Sequence, residues 1–241
     1  MPGLNSHSFY DDNDRAERYH RKKGFAPKRT EGMREVMQDL ITTLTAPQST
    51  LLELGAGTGL FTEKLLRSNH FREIYMTDGA PAMLQVARQA LKAEHTHVHY
   101  IQLDFTTDWS GLFAGMDFDA VTSSIALHHA SNKKYLFQQI FSILKPQGVV
   151  VLGDHMSGAS TWTENLIKRE RAIVRLGKEN IANDEQLQEI MNMDEERGRK
   201  EGNRCESVAQ YQYYLKQCGF EDGECIWRDY WLAVFVARKP G

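Results

Sequence analysis

The sequence predicts an α/β fold: a doubly wound, mostly parallel sheet of seven strands with helices on both faces. Three observations lead to this prediction. Short apolar segments alternate with helix-length segments through most of the first 155 residues, which is the pattern of β-α-β units. The first apolar segment runs directly into a glycine-rich loop. Two apolar segments lie close together near the C-terminus, which indicates an antiparallel hairpin.

The predicted elements follow one another in a regular order. Helices are expected over 14–19 and 30–44, before the sheet begins. Strands are predicted over 50–54, 73–77, 98–103, 118–123 and 149–152, and helices over 60–67, 82–92 and 133–144. A turn is expected at 145–148 and a charged helical insertion over 155–206. A helix over 207–218, with Ser207 as its N-cap and Gly219 at its end, then leads into strands over 224–227 and 231–237.

Length and composition favour one globular domain. The 241 residues are 41% hydrophobic and 25% charged, and the formal net charge of −3 argues against a nucleic-acid partner. Three scattered cysteines, without a C-x-x-C pair, do not form a disulfide framework. No apolar leader follows Met1 and no apolar run reaches the ~18 residues of a membrane span, so we expect a cytoplasmic protein without a membrane partner. The oligomeric state is not predicted.

The glycine loop distinguishes between classes of ligand. Gly55, Gly57 and Gly59 stand at every second position, whereas the dinucleotide fingerprint G-x-G-x-x-G needs a glycine where Leu60 stands. The G-K-[ST] ending of a P-loop is absent from the sequence. Glu53, two residues before the first glycine, would repel a pyrophosphate and suits a ligand with an ammonium group.

The loop resembles the first motif, [DE]-x-G-x-G-x-G, of the S-adenosylmethionine-dependent methyltransferases with the Rossmann-like fold. Three further features match in order: the strand-end acid Asp78 followed by Met83, the stretch Leu103-Asp104-Phe105, and Leu-His-His at 127–129. Gly79-Ala80 departs slightly from the family's D-x-S pattern, and Gln147 replaces one glycine of its L-K-P-G-G turn. In character the chain is most similar to the ubiquinone and menaquinone methyltransferases and to related small-molecule enzymes.

The resemblance implies a cofactor, S-adenosylmethionine, and roles for individual residues. Asp78 would accept hydrogen bonds from both ribose hydroxyls, and Asp104 would accept one from the adenine amino group beside the Phe105 backbone. A tyrosine of the N-terminal segment would lie near the sulfonium, because aromatic faces attract cations. The predicted cofactor-binding residues are Tyr19, Glu53, Gly55, Ala56, Gly57, Asp78, Gly79, Met83, Asp104, Phe105 and Ser123.

Candidate catalytic bases follow the fourth and fifth strands, whose carboxyl ends lie beside the transferred methyl group in this fold. His128 and His155 are the predicted catalytic residues, because histidine titrates near neutrality. Two alternatives stay open. Orientation of the acceptor alone can suffice, since a sulfonium is already a strong electrophile. His128, His129, Asp154 and His155 can also form a metal site, for which zinc or iron suits histidine better than magnesium; no metal is predicted.

The predicted function is transfer of a methyl group to an O, N or C atom of a small molecule. The alternatives are a tRNA or protein methyltransferase and a non-methylating enzyme that binds S-adenosylmethionine on the same fold. We expect one domain: a helical cap over 1–48, a cofactor-binding core over 49–155, an insertion over 156–206 and a helix with a hairpin over 207–241. Tyr10, Tyr19 and Phe25 of the cap, with a lid formed by 157–204, would enclose the acceptor. The other interpretation of residues 157–204 is a fixed helical layer packed on the sheet edge.

Overall fold

Seven strands and eight helices are present in the part of the chain that the computed structural model describes, residues 9–23, 26–92 and 96–241. The strands are β1 Ser49–Glu53, β2 Phe71–Asp78, β3 His97–Gln102, β4 Phe118–Ser124, β5 Leu144–His155, β6 Glu221–Asp229 and β7 Leu232–Arg238. The helices are α1 Asn13–Lys22, α2 Pro27–Leu44, α3 Leu60–Arg67, α4 Pro81–Ala90, α5 Lys133–Ile143, α6 Thr161–Leu176, α7 Asp184–Lys200 and α8 Val208–Gln217. No helix among these residues is both long and apolar enough to cross a membrane.

The strands form one sheet in the order β3-β2-β1-β4-β5-β7-β6. Neighbours from β3 to β5 are parallel, and β7 runs antiparallel to both β5 and β6. The prediction of a doubly wound sheet with a C-terminal antiparallel hairpin is therefore confirmed. The strand order reverses between β1 and β4, and in an open α/β sheet the crevice at the carboxyl ends of such strands is where ligands bind.

Alternation along the strands divides the core between the two faces of the sheet. Leu51 faces a layer in which α2 and α3 pack, and Leu52 faces a layer that contains α5 and α8. The first layer includes Met33, Met37, Ile41, Phe61 and Leu65, and the second includes Leu136, Phe137, Ile140, Tyr211 and Leu215. Both layers exclude water from the sheet, so the strand ends are held rigidly.

Most element boundaries agree with the sequence within a few residues. Ser207 caps α8 by accepting the N–H of Gln210, and Gly219 follows the helix with a φ of 94°, as predicted. The predicted turn at 145–148 is instead a bulge within β5, because Leu144 pairs with Phe118 and Val149 pairs with Ala120. The insertion also differs, since β5 continues to His155 and two separate helices follow it.

Candidate active site

The glycine loop connects the end of β1 to the start of α3. Gly55, with a φ of 64°, lies so close to the segment after β4 that a Cβ would come within 2.3 Å of the Ala126 Cβ. Gly57 has a φ of 59° and has open space where a Cβ would stand. The loop is fixed by its N–H groups, since that of Ala56 donates to the Thr77 carbonyl at 2.8 Å. A ligand can therefore approach the backbone at Gly57 closely.

Glu53 is a fully buried acid at the end of β1. Its Oε2 accepts a hydrogen bond from the Thr62 hydroxyl at 2.7 Å, whereas Oε1 has no hydrogen-bond partner among the described residues. Burial raises the pKa of Glu53 to about 7, against the opposite effects of Thr62 and the Arg34 charge. A buried carboxyl with an unsatisfied oxygen fits a ligand that brings an N–H donor and a positive charge.

Two further carboxylates lie at the next strand ends. Asp78 accepts the N–H of Gly57 at 2.8 Å and that of Ala80 at 2.9 Å, which ties the glycine loop to the start of α4. Asp104 accepts the N–H of Thr106 at 2.9 Å and its hydroxyl at 2.6 Å. Both carboxylates also line the cavity described below, and a carboxylate oxygen can accept more than one hydrogen bond. They are thus oriented by the backbone and remain suited to bind ligand hydroxyl or amino groups.

His128, Asp154 and Tyr211 form a continuous hydrogen-bonded series. The Nδ1 of His128 lies 2.6 Å from Asp154 Oδ1, and the Tyr211 hydroxyl donates to Asp154 Oδ2 at 2.7 Å. Burial raises the pKa of Asp154, but the charge and hydrogen bond of His128, with the Tyr211 hydrogen bond, hold it at about 2. Asp154 is therefore ionised and accepts a hydrogen bond from the Nδ1–H of His128. Nε2 of a neutral His128 is then the ring nitrogen that can accept a proton.

Two other histidines pack around His128. The ring of His155 stacks on that of His128, and their centroids are 4.8 Å apart. The centroids of the His128 and His129 rings are 4.2 Å apart. Burial, with the charge of His128, lowers the pKa of His129 to about 3. Burial also lowers the pKa of His155 well below its usual range, helped by the charges of His128 and Arg171. Both rings are neutral near pH 7, so they are weak bases beside His128.

The described residues contain no group of three or more His, Cys, Asp or Glu side chains placed to hold a metal ion. Both oxygens of Asp154 are already engaged by His128 and Tyr211. The cluster that the sequence offered as a metal site is instead a hydrogen-bonded and stacked assembly of protein groups.

A cavity of about 1070 Å³ joins these groups. Twelve of the predicted site residues line it: Tyr19, Glu53, Gly55, Ala56, Gly57, Asp78, Gly79, Met83, Asp104, Phe105, His128 and His155. Ser123 does not, because its buried hydroxyl donates to the Leu54 carbonyl at 2.8 Å. The next residue, Ser124, points to the opposite side of the strand and lines the cavity, and it accepts a hydrogen bond from Arg34 Nε at 3.2 Å. Phe25 lies outside the described residues.

The N-terminal segment and the insertion both line the cavity. Asp11 accepts the N–H of Ala82 at 3.1 Å, which places α1 over the start of α4, and Tyr10 and Tyr19 line the cavity there. In the insertion, the N–H of Arg204 donates to the carbonyl of His128 at 2.7 Å. Arg171, Arg175 and Arg197 of the insertion line the cavity as well. Sequence reasoning assigned no role to these arginines, since nothing local to α6 or α7 marks them as facing the sheet.

A methyltransferase-domain family model matches residues 51–148. Two curated relatives share this region. A hybrid PKS-NRPS synthetase of Penicillium oxalicum is 29% identical over 44% of this chain. A malonyl-[acyl-carrier protein] O-methyltransferase of Paenibacillus is 29% identical over 44% of this chain. The chain spans only 3% of the length of the first relative and 38% of the second.

Solved structures resemble nearly the whole chain in fold. An O-methyltransferase family protein of Burkholderia thailandensis superposes with a TM-score of 0.69 and 14% identity, over 97% of this chain and 62% of its own. Human N-acetylserotonin methyltransferase, in complex with S-adenosylmethionine, gives a TM-score of 0.60 and 14% identity, over 99% of this chain and 59% of its own. The shared architecture includes the C-terminal hairpin and extends well beyond residues 51–148.

The sheet order, the glycine loop and the strand-end acids define a Rossmann-like α/β domain built to hold a ligand at the carboxyl ends of β1 and β4. The family match over residues 51–148 supports a methyltransferase domain on this fold, with S-adenosylmethionine as its cofactor. The residues present fit that cofactor. Glu53 would offer its unsatisfied buried oxygen to an ammonium group, and Asp78 and Asp104 would offer acceptors to ribose and adenine groups.

Proposed function

We propose that this protein transfers a methyl group to a small molecule whose nucleophilic atom must lose a proton, and that His128 accepts this proton. The observation that carries the proposal is the hydrogen-bonded series of His128, Asp154 and Tyr211 at the wall of the cavity. The malonyl-[acyl-carrier protein] O-methyltransferase among the relatives accords with an oxygen nucleophile. The cavity, at the upper end of the usual ~300–1,000 Å³ of small-molecule sites, has room for a cofactor and an acceptor together.

The chain's own residues would orient the acceptor and take its proton. S-adenosylmethionine, when bound, supplies a methyl group activated by a sulfonium. His128 Nε2 would accept the proton that the acceptor hydroxyl loses when it is methylated. Asp154 fixes the tautomer of His128 through Nδ1 and stabilises the imidazolium that forms. Tyr211 holds Asp154 in place from the other side.

Replacing the candidate base tests the proposal. His128→Ala should lower kcat by about 10²–10⁴-fold, the usual contribution of a positioned base, when S-adenosylhomocysteine formation is followed with a panel of phenols and hydroxylated acids. The native rate should rise with pH, because a protonated imidazole cannot accept a second proton, and the variant should lack that rise. Cofactor affinity by calorimetry should barely change, because the ribose and adenine acceptors lie elsewhere.

His155→Ala is the matched control, since this ring stacks on His128 but is held neutral by burial. It should retain the pH dependence and lose little rate. If both variants keep the native rate at every pH, methyl transfer proceeds by orientation alone and His128 is not the base.

A further inference from the structure

The candidate active site is strongly cationic, although the chain as a whole is not. Among the described residues, ten arginine and lysine side chains and five carboxylates line the cavity, an excess of five positive charges, whereas the whole chain carries a formal charge of −3. A cleft with one sign of charge concentrates ligands of the opposite sign. The cofactor does not supply that sign, since its sulfonium and ammonium groups outnumber its single carboxylate.

Three of the five carboxylates lie on the cofactor side of the cavity, and the other two form ion pairs within the insertion. Glu53, Asp78 and Asp104 lie around the glycine loop, on the cofactor side. The other two belong to the insertion and form ion pairs there: Asp194 with Arg175 at 2.6 Å, and Glu201 with Arg197 at 2.7 Å. Arg29 also forms ion pairs, with Glu170 and Asp229, which do not line the cavity. Counting these two carboxylates, the ten cations still exceed the carboxylates around the cavity by three.

Arg171 is the cation placed beside the candidate base. It extends from α6, lines the cavity, and lies near enough to His155 for its charge to act on that ring. The ring of His155 in turn stacks on His128. The Arg171 guanidinium also lies 5.8 Å from the ring centroid of the fully buried Trp231, so the two groups form a cation–π contact. A guanidinium held in this way binds a carboxylate through two parallel hydrogen bonds.

We infer that the methyl acceptor is a small hydroxylated carboxylic acid, whose carboxylate binds Arg171 while its hydroxyl faces His128. The inference rests on the proposed function and names its substrate class. The exposed cations at the cavity mouth, among them Lys22, Lys23 and Lys28, would draw such an anion toward the entrance. The negative charge of the whole chain disfavours a nucleic acid as the acceptor.

Calorimetry in the presence of S-adenosylhomocysteine tests the inference with matched pairs of probes, the three hydroxybenzoates and the corresponding hydroxybenzamides. At least one acid should bind at least tenfold more tightly than its neutral amide. Arg171→Met should remove that preference. Arg169→Met, on the same helix but exposed and 3.6 Å from Asp184, should leave it unchanged. Unaltered S-adenosylhomocysteine affinity and thermal unfolding show that each variant has folded.

Several results would overturn the inference: equal binding of acids and amides, no binding by any of the acids, an acid preference that survives Arg171→Met, or salt-sensitive binding of bulk tRNA in place of the acids. A native protein that binds no S-adenosylhomocysteine would contradict the proposed function instead, so the two failures are distinguishable.

Discussion

We expect Glu53 to couple cofactor binding to pH. Burial raises the pKa of this carboxyl to about 7, so it is largely protonated in the cofactor-free protein at pH 6. A ligand ammonium binds the ionised form in preference. Binding must therefore release a proton below pH 7, and affinity should rise as the pH increases through the pKa of Glu53.

Calorimetry of S-adenosylmethionine binding between pH 6 and pH 8 checks this prediction, with two buffers of different ionisation enthalpy at each pH to count released protons. The native protein should bind more tightly at pH 8 and release a proton at pH 6. Glu53→Gln should bind more weakly, with an affinity that does not change over this range. Native binding that is independent of pH and of buffer would show that Glu53 does not meet the ammonium group.

Residues at or shortly beyond a strand end could be predicted from sequence alone. Glu53 and Asp78 are the last residues of β1 and β2, Asp104 and His128 lie shortly beyond the ends of β3 and β4, and all four line the cavity. Ser123 failed by a single position, because successive strand residues point to opposite faces and its hydroxyl meets the Leu54 carbonyl. Contacts between distant segments had no local signal.

Two contacts of this kind define the acceptor side of the site. Tyr211 reaches Asp154 across 57 positions of sequence, and Arg171 reaches the site only because α6 folds back over the sheet. Both contacts depend on how the helices pack on the sheet. The residue pattern of a short segment does not specify that packing.

The insertion consists of two helices that are attached to the sheet at their base. Met156 pairs with Glu206 in an isolated parallel bridge, and the N–H of Ser157 donates to the Glu206 carbonyl at 2.9 Å. Beyond this base, the two helices contact each other through exposed or half-buried ion pairs such as that of Lys168 with Glu195 at 3.3 Å. Such pairs stabilise a surface weakly, by about 0–1 kcal/mol each.

We expect residues 157–204 to be the least protected long segment in hydrogen exchange without ligands, because their buried apolar contacts are few. S-adenosylhomocysteine together with an acceptor should slow exchange in α7. Helix α2, whose Met33, Met37 and Ile41 are fully buried on the sheet, is the internal control and should exchange slowly in both states. Equal protection of the insertion with and without ligands would mean a fixed layer and not a lid.

The sequence marks the division of the insertion into two helices, at a glycine followed by an asparagine. Gly177, with a φ of 82°, ends α6, and the side chain of Asn183 caps α7 by accepting the N–H of Gln186 at 2.8 Å. A glycine followed by an asparagine cap is a recognised helix break. The bulge at 145–148 had no such signal, because it depends on the pairing of β5 with β4 and on the Lys239 carbonyl, which accepts the N–H of Gln147 at 3.1 Å.

The antiparallel hairpin completes the core and should determine the stability of the whole domain. Phe235 on β7 is fully buried and stacks on Tyr211 with ring centroids 5.2 Å apart. Phe235→Ala should lower the free energy of unfolding by about 3–5 kcal/mol, the usual effect of deleting a buried aromatic ring. Ile226→Ala on the neighbouring edge strand is the control, since Ile226 is 51% exposed and should change stability by less than about 0.5 kcal/mol.

Denaturant unfolding followed by tryptophan fluorescence and by circular dichroism measures both variants. Coincident transitions would show that the hairpin and the parallel strands unfold together. A loss of less than about 1 kcal/mol for Phe235→Ala would mean that the hairpin is peripheral to the core.

The closed base of the insertion makes this part of the chain an exchangeable cassette. The chain leaves the sheet at Met156 and rejoins it beside the same point at Glu206, so a segment of different length and sequence can replace the stretch between them without altering strand order. The attachment also sets one condition for such a graft. The amide that holds the His128 carbonyl comes from Arg204, at the closing edge of the cassette, so a graft that ends before this residue preserves the geometry of the site while it changes which acceptors enter.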